Sequence, residues 1–300
     1  MLPELNRPLR DKMRRKRPQA RGLIVEKNQM SEELSELLVI AKRAASVAAA
    51  VHRSAMEQGG FHIGAKKSAS DLVTEVDREA ERKMVEAIHA LRPNDSIVGE
   101  EGTDLKGDSG VRWIIDPLDG TTNFIHRYPA HAAAVGVEIN GQRKVGDVHD
   151  TFNNRVYAGV VGGAATCDGR AITASAECAL ANALIATGFL PDAQVRRAQA
   201  DVLRQVLPKV RDIRRSGCPS LDICGVASGI LDGFYECGLG QWDIAGAAAI
   251  AEAAGARVLL LHPEALPGPL LLVANAELSD ALRSLLEESG VVKRASTHTA

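Results

Sequence analysis

The chain lacks the features that identify several large classes of protein. No apolar run approaches the ~18 residues of a membrane-spanning helix, because Lys42, Arg43 and Glu252 interrupt the richest stretches. The five cysteines show no C-x-x-C spacing, so neither a disulfide framework nor a zinc site is indicated. The net charge of -2 argues against nucleic acid or a membrane surface as the main partner of the whole chain. We expect a soluble, cytoplasmic protein.

Motifs of covalent catalysis are also missing. The chain contains no G-x-S-x-G nucleophile turn, and its eight histidines form no H-E-x-x-H pair. No internal repeat or low-complexity linker divides it. With 300 residues, 45% of them hydrophobic, the chain can bury a substantial core, and we expect one continuous domain over residues 31–290.

The two ends differ from this middle part. Residues 1–30 carry nine Lys or Arg against three Asp or Glu and little apolar periodicity, which predicts a basic, disordered tail. We favour a solvated extension, or a start codon assigned too far upstream, over an arginine-rich targeting segment of similar composition. Ser31 is expected to begin a helix that stops near Gly59, and residues 291–300 are expected to form a C-terminal tail.

The most informative stretch is W-I-I-D-P-L-D-G, from Trp113 to Gly120. Its apolar, β-branched start predicts a buried strand, which Pro117 is expected to end because proline donates no hydrogen bond to a sheet. Asp116 and Asp119 then lie at the end of a strand, where open α/β sheets bind ligands. Mg²⁺ prefers a few carboxylate oxygens, with positions left for water and phosphate. The stretch thus indicates a metal and phosphate site, but Asp-Pro and Asp-Gly are also ordinary turn dipeptides.

Three further segments add acidic residues. A short apolar run ends in Glu100 and Glu101, and Asp243 is predicted to be the N-cap of an alanine-rich helix. Another helix opens with D-L-V-T-E-V-D, from Asp71 to Asp77. Each segment also has a purely structural explanation, namely a solvated turn, a helix cap and a capping box. Taken together, the four segments favour one acidic site.

The order of the elements predicts the fold class. Asn140-Gly141 between two apolar runs predicts a hairpin, and a second pair of strands follows around Gly162-Gly163. Helices therefore come first, antiparallel strands next, and alternating strands and helices last. This order is typical of a mixed α/β layered sandwich rather than of a parallel barrel.

Four segments, in their order along the chain, resemble the inositol monophosphatase family. They are D-L-V-T-x-x-D at Asp71 to Asp77, G-E-E at Gly99 to Glu101, W-I-I-D-P-L-D-G-T-T-N-F at Trp113 to Phe124, and W-D-x-A-G at Trp242 to Gly246. The similarity reaches from about Ser31 to Gly290, and the stretch from Ala183 to Leu272 looks closest to actinobacterial inositol-1-monophosphatase-like proteins. The resemblance implies a five-layer αβαβα sugar-phosphatase fold and a homodimer.

The resemblance also implies a site built for paired Mg²⁺ ions. Its metal ligands match Glu100, Asp116, the backbone oxygen of Leu118, Asp119 and Asp243, with Asp116 as the bridging ligand. Such ions suit phosphomonoester hydrolysis, because one can activate water while the other stabilises the departing alkoxide.

Further roles follow from the same resemblance. Glu100 matches the base that acts on the metal-activated water, Thr121 matches its hydroxyl partner, and Asp77 matches the acid that orients Thr121. The backbone N–H groups of Gly120 and Thr121 match the groups that bind phosphate at the start of a short helix.

Substrate contacts are implied at two positions. Glu236 matches an acid that hydrogen-bonds inositol hydroxyls, although an exposed acid at a strand end is the alternative. The Gly-small-Ala segment of the substrate site matches Gly217-Cys218-Pro219, and here Pro219 removes a backbone donor. This departure weakens the assignment of inositol as the substrate but does not affect the predicted hydrolysis of a phosphate ester.

The sequence therefore predicts a Mg²⁺-dependent phosphatase for a small phosphorylated metabolite, most simply inositol 1-phosphate. Histidinol phosphate, sugar bisphosphates and nucleotide 3′-phosphates are alternative substrates within the same chemistry. The alternative of a different class is a non-catalytic regulatory module that binds RNA or the transcription machinery through the basic tail. Retention of every matched ligand disfavours this second class.

Overall fold

The computed structural model describes residues 18–58, 63–65, 72–263 and 266–289, with side chains for 31–58, 74–263 and 266–289. The chain divides into two compact units, Met1–Glu36 and Leu37–Ala300. Residues 1–17 and 290–300 lie outside the described residues, as does Asp71. The predicted division into a tail of 1–30, a domain of 31–290 and a tail of 291–300 therefore stays a prediction.

The first helix, α1 (Pro18–Gln58), begins well before Ser31, so the predicted start was wrong. Proline is well tolerated in the first turn of a helix, because its missing N–H has no partner there in any case. The residues that follow are mostly good helix formers, and an existing helix extends at little cost through such a segment. The predicted end near Gly59 is confirmed, since α1 ends at Gln58.

The remaining elements follow in chain order. The other helices are α2 (Glu75–His89), α3 (Thr121–Ile125), α4 (Ala193–Val206), α5 (Pro219–Ala227), α6 (Gln241–Ala253) and α7 (Ala276–Glu288). The first ten strands are β1 (Ile63–Ala65), β2 (Leu72–Thr74), β3 (Ser96–Gly99), β4 (Asp104–Leu105), β5 (Val111–Asp119), β6 (Ala132–Ile139), β7 (Gln142–Asp150), β8 (Arg155–Val160), β9 (Ala165–Cys167) and β10 (Arg170–Ile172). The last five are β11 (Leu184–Thr187), β12 (Asp212–Arg214), β13 (Gly233–Cys237), β14 (Arg257–Leu261) and β15 (Leu270–Ala274).

The larger sheet has eight strands in the order β10-β9-β8-β7-β6-β5-β3-β4. Only β3 and β5 are parallel in it; the other neighbours are antiparallel. The hairpin predicted at Asn140-Gly141 joins β6 to β7, and both turn residues have positive φ, as the tight two-residue turn requires.

Strand β5 does not end at Pro117, contrary to the sequence prediction. It continues to Asp119, and its pairing with β6 shifts register between Asp116 and Asp119. Its other neighbour, β3, pairs only as far as Ile115, so one side of β5 is unpaired where the proline lies. Proline is tolerated at such edges and bulges because no sheet hydrogen bond is lost.

The smaller sheet has five strands in the order β12-β11-β13-β15-β14, and β1 and β2 form a separate two-stranded ribbon. Helices α5 and α6 contact strands of both large sheets, α2 packs on β5, and α4 and α7 share a core cluster with the smaller sheet. Together with the α1 segment after Leu37, whose His52 bonds to Pro117 and Thr151, these elements form the predicted αβαβα layers.

Small residues bring α6 close to the larger sheet. A β-carbon on Gly146 of β7 would overlap the backbone oxygen of Gly246 of α6, and one on Gly159 would lie 2.8 Å from the α-carbon of Ile250. The helix therefore rests directly on the backbone of the strands, which fixes the height of its first turn above the sheet.

Within the described residues, no helix is both long and apolar enough to cross a membrane. The five cysteines all carry free thiols.

Candidate functional site

Three acidic side chains from distant segments meet at one point. Asp116 and Asp119 come from the end of β5 and Asp243 from the first turn of α6, and each offers a carboxylate oxygen within 4.8 Å of the others. The two β5 acids are buried, so bulk water does not screen their repulsion. A cluster of this kind needs protons or cations to be stable.

Glu100 lies beside this cluster because of strand register. Gly99, the last residue of β3, pairs with Ile115 in the parallel ladder, so Glu100 comes next to Asp116. Burial, followed by the charges of Glu100, Asp119 and Asp243, raises the pKa of Asp116 well above its usual value. The structure thus brings together the four acids that the sequence singled out.

Asp116 offers one buried oxygen that no donor occupies. Its Oδ1 atom accepts a hydrogen bond of 3.0 Å from the backbone N–H of Leu118, whereas its Oδ2 atom accepts none from the described residues. An unpaired carboxylate oxygen in the interior costs free energy unless something else binds it. A hard cation such as Mg²⁺ fits this oxygen and its acidic neighbours, because all the donors are oxygens.

Asp119 is held in place by the N-terminus of α5. Its Oδ2 atom accepts hydrogen bonds from the Ser220 backbone N–H at 2.7 Å and from the Cys218 thiol at 3.1 Å. Burial raises the pKa of Asp119 to about 6, although the bonds from Ser220 and Cys218 act in the opposite direction. Sequence reasoning missed this contact, and the only available signal was Pro219, which marks the first turn of the helix.

Asp243 is the third residue of α6, not its N-cap as predicted. Gly240 is the N-cap, and its backbone N–H donates a hydrogen bond of 2.6 Å to Asp243 Oδ2. An acid at the third helical position commonly reaches back to the cap in this way, and its charge is favourable near the helix N-terminus. The helix thereby directs Asp243 toward Asp116 and Asp119.

Asp77 connects α2 to the residues after β5. The capping box is confirmed, because Thr74 caps α2 and Asp77 Oδ2 accepts the Thr74 backbone N–H at 2.8 Å. The other oxygen, Oδ1, accepts the Thr121 hydroxyl at 3.0 Å. One carboxylate of Asp77 thus serves both the capping box and the contact with the Thr121 hydroxyl.

Gly120 and Thr121 begin the short helix α3, as predicted. Gly120 is its N-cap with φ of 85°, a left-handed conformation that glycine adopts without strain. A β-carbon at this position would lie 2.9 Å from the backbone oxygen of Ala130. Any other residue would therefore disturb the turn that carries the first backbone N–H groups of the helix.

Both expected substrate residues lie next to the acids. The Glu236 side chain on β13 is buried, and burial followed by the charge of Asp243 raises its pKa well above the usual value. This burial is inconsistent with the alternative of an exposed strand-end acid. The backbone oxygen of Gly217 lies 3.4 Å from the point where a β-carbon on Gly120 would be.

His52 contacts the strand that carries Asp116 and Asp119, and the sequence analysis did not identify it. Its Nε2 atom lies 2.8 Å from the Pro117 carbonyl, which can only accept, so Nε2 carries the proton and Nδ1 accepts from the Thr151 hydroxyl at 3.0 Å. Burial lowers the pKa of His52 to about 3, which keeps the ring neutral. The ring thus fixes the irregular part of β5 between the two aspartates.

The chain is similar in sequence to known proteins. The model of the inositol monophosphatase family matches residues 33–292. The inositol-1-monophosphatase SuhB of Mycobacterium tuberculosis is 40% identical over 240 residues, which cover 76% of this chain and 82% of that protein. The Nus factor SuhB of Escherichia coli is 35% identical over 221 residues, covering 73% and 83% respectively.

A solved structure is similar over the same region. The crystal structure of the extragenic suppressor protein suhB from Bartonella henselae matches with a TM-score of 0.78 at 29% identity, covering 84% of this chain and 99% of that one. The family match spans most of the residues that the structure describes, including all the acids of the site. The chain belongs to the inositol monophosphatase family, and its chemistry is that of a phosphatase.

Proposed function

We propose that the protein is a Mg²⁺-dependent phosphomonoesterase that hydrolyses inositol 1-phosphate to inositol and phosphate. The observation that carries the proposal is the buried Oδ2 atom of Asp116, which accepts no hydrogen bond from the described residues and lies among other acids. Such an arrangement is costly in a protein that binds no cation there.

The ions would be held by oxygen ligands alone. Glu100, Asp116, Asp119 and Asp243 would supply carboxylates, and the backbone oxygen of Leu118 would complete the set. Bound Mg²⁺ would supply activation of water and neutralisation of the departing alkoxide. Asp116 would be the central ligand of this set, because the charges of the three other acids all act on it.

The hydroxyl of Thr121 is oriented to accept a hydrogen bond from water, because its own hydrogen is donated to Asp77. It lies 3.0 Å from Asp77 Oδ1 and 3.2 Å from the Leu118 oxygen, but its single hydrogen can go to only one of them. The bond to the carboxylate is charge-assisted and therefore stronger. With its hydrogen directed to Asp77, Thr121 presents lone pairs to the attacking water, and Glu100 would take the proton of that water.

The phosphate group would lie at the start of α3. The backbone N–H groups of Gly120 and Thr121 are the first of that helix, where N–H groups lack partners within the helix and the dipole favours negative charge. The glycine allows a phosphate oxygen to approach the backbone closely.

The organic part of the substrate would lie between Glu236 and Gly217. Glu236 is buried beside Asp243, so a sugar or inositol hydroxyl that donates to it would be recognised in a water-poor environment. Pro219 occupies the first position of α5, where a helix needs no N–H, so the proline is compatible with the helix and removes only a possible donor to substrate.

Release of inorganic phosphate from inositol 1-phosphate tests the proposal. The full chain should release phosphate with Mg²⁺ and lose this activity in EDTA, and Thr121→Val should reduce kcat while Thr122→Val, at the neighbouring position of α3, should not. Absence of Mg²⁺-dependent phosphate release from inositol 1-phosphate would reject this substrate. Release of phosphate from another small phosphate ester would support the proposed phosphatase reaction and identify a different substrate.

A second candidate function is a role in transcription. It is favoured by the similarity to a protein named as a Nus factor in Escherichia coli, and by the basic residues of 1–30. It can be tested by RNA binding of the full chain and of a chain that starts at Ser31. RNA binding by a protein that releases no phosphate would favour it over catalysis. A homodimer and a cytoplasmic location remain expectations of the family resemblance and of the composition.

A further inference from the structure

Glu81 is a buried acid of α2 whose carboxylate contacts the loop that carries Glu100. This segment, the Glu100 loop, comprises residues 100–103 and connects β3 to β4. Glu81 Oε2 accepts a hydrogen bond of 2.7 Å from the Glu101 backbone N–H. Its Oε1 atom accepts the Thr103 backbone N–H at 3.0 Å and the Thr103 hydroxyl at 2.6 Å. Three donors of the loop therefore meet on one carboxylate.

The Glu100 loop needs such support because it is a short turn at the surface. Gly102 at its tip is exposed and has φ of 113°, and a backbone hydrogen bond of 2.9 Å from Gly99 to Thr103 closes the turn. Exposed turns of this kind open easily by themselves. The carboxylate of Glu81 adds charge-assisted hydrogen bonds, which are stronger than bonds between neutral groups.

Gly99 allows the carboxylate of Glu81 to approach the loop. It is the last residue of β3, and a β-carbon at this position would overlap the Glu81 carboxylate. The same residue pairs with Ile115 and thereby brings Glu100 next to Asp116. The strand register therefore sets where the Glu100 loop begins, and Glu81 sets the path that it takes from there.

Helix α2 holds a second group of the site on the same face. Asp77 and Glu81 are four residues apart, so their side chains lie one above the other, and both are buried. Asp77 accepts the Thr121 hydroxyl at 3.0 Å. A single rigid helix thus contacts both the Glu100 loop and Thr121, the two parts of the chain proposed to act on the attacking water.

We propose that Glu81 is a positioning residue, which holds Glu100 at a fixed place relative to Thr121. The proposal rests on the phosphatase function proposed above. Glu81 acts through Glu100, the group that would take the proton of the attacking water, and has no contact of its own with the reacting atoms. Helix α2 is then the common frame of the two groups that direct this water.

Kinetics of Glu81→Gln with inositol 1-phosphate test the proposal. Glutamine has nearly the volume of glutamate, but its NH₂ group cannot accept, so at least one donor of the loop loses its acceptor. At saturating Mg²⁺, kcat should fall about tenfold or more, as is typical when a group that orients a metal ligand is lost. KM should change less than about twofold, because the proposed substrate contacts lie on other elements.

Glu86→Gln is the matched control, since it removes the same charge from an exposed position of α2. It should leave kcat and KM unchanged. The proposal is overturned if Glu86→Gln lowers kcat as Glu81→Gln does, because the effect then comes from the charge of the helix. It is equally overturned if Glu81→Gln raises KM while kcat stays the same.

A double variant shows whether Glu81 acts through Glu100. Glu100→Gln removes the carboxylate that the loop carries, so the further change Glu81→Gln should lower the remaining kcat less than about twofold. If the two substitutions instead reduce kcat by factors that multiply, Glu81 acts independently of Glu100 and the positioning role is wrong.

Amide hydrogen exchange in EDTA examines the loop without catalysis. The Glu101 and Thr103 amides should exchange about tenfold or more faster in Glu81→Gln than in the wild type, while the amide of Met84, inside α2, should keep its rate. Equal acceleration at Met84 would indicate general destabilisation and overturn the proposal, as would unchanged rates at Glu101 and Thr103. If the wild type releases no phosphate, the proposed function fails, while the exchange rates still decide whether Glu81 holds the loop.

Thr103→Val decides the question if Glu81→Gln does not fold. It removes only the hydroxyl donor of a residue that is partly exposed, so the chain should fold normally. Exchange at Glu101 should become faster and kcat should fall, each by a smaller factor than in Glu81→Gln, because two of the three hydrogen bonds to Glu81 remain. Wild-type values of both quantities in Thr103→Val would then overturn the proposal.

Discussion

At the scale of single residues, Asp116 shows how the fold creates a need for cations. Strand β5 buries it completely, and its neighbours in space are acids from three other positions in the chain. Each acid alone has an ordinary explanation as a turn or cap residue. Only their convergence, which depends on strand register and on the position of α6, makes the group unstable as free carboxylates.

Asp116→Asn should lower kcat about 100-fold or more while leaving the fold intact, because it removes a metal ligand and no packing volume. The neutral amide also relieves repulsion, so the metal-free protein should unfold at a temperature no lower than the wild type. Phosphate release at saturating Mg²⁺ and thermal unfolding in EDTA measure the two effects. Asp108→Asn, which changes an exposed acid, is the control. Full activity of Asp116→Asn would contradict the proposal that Asp116 is a metal ligand.

The titration of Asp119 gives a prediction for stability against pH. Burial raises its pKa in the folded protein to about 6, whereas an unfolded aspartate titrates near ~3.9. Between these values the folded state binds a proton that the unfolded state does not, so this contribution to stability falls as pH rises. We compare the free energies of unfolding of the wild type and of Asp119→Asn in EDTA. The wild-type value minus the variant value should fall by about 2 kcal/mol from pH 4 to pH 6.5.

Urea unfolding of both proteins across this pH range measures the difference. Saturating Mg²⁺ should reverse the trend, because the ions bind the deprotonated form. A difference that grows with pH in EDTA would show that Asp119 is stable as an anion without cations.

At the scale of elements, the position of α6 decides where Asp243 lies. The helix rests on the backbone of β7 and β8 through glycines, so a single methyl group between the two layers must displace it.

Gly146→Ala should reduce the free energy of unfolding by about 1–3 kcal/mol and weaken Mg²⁺ binding, because α6 carries the proposed ligand Asp243. Gly163→Ala, in an exposed turn, is the control, and calorimetry with Mg²⁺ is the measurement. If Gly146→Ala destabilises the protein but leaves its Mg²⁺ affinity unchanged, the position of α6 does not determine Mg²⁺ binding.

The elements also show what a sequence can and cannot predict. The hairpin at Asn140-Gly141, strand β3 and the capped start of α2 follow from local patterns, because turn residues and caps act within a few positions. The passage of β5 through Pro117 was predicted wrongly, because it depends on which side of the strand lacks a partner. The contact of Asp119 with Ser220 spans about a hundred residues, and nothing local in either segment encodes it.

At the scale of the whole molecule, the described residues of the site lie after Ser31, from His52 of α1 to Asp243 of α6. A chain that starts at Ser31 should therefore keep kcat/KM for inositol 1-phosphate within about twofold of the full chain, since it keeps every described contact of the site. Phosphate release by both chains at equal Mg²⁺ measures this. A binding role of the basic segment would appear separately, as a salt-dependent RNA affinity that the shorter chain loses. A large fall in kcat without loss of folded protein would instead place residues before Ser31 in the catalytic mechanism.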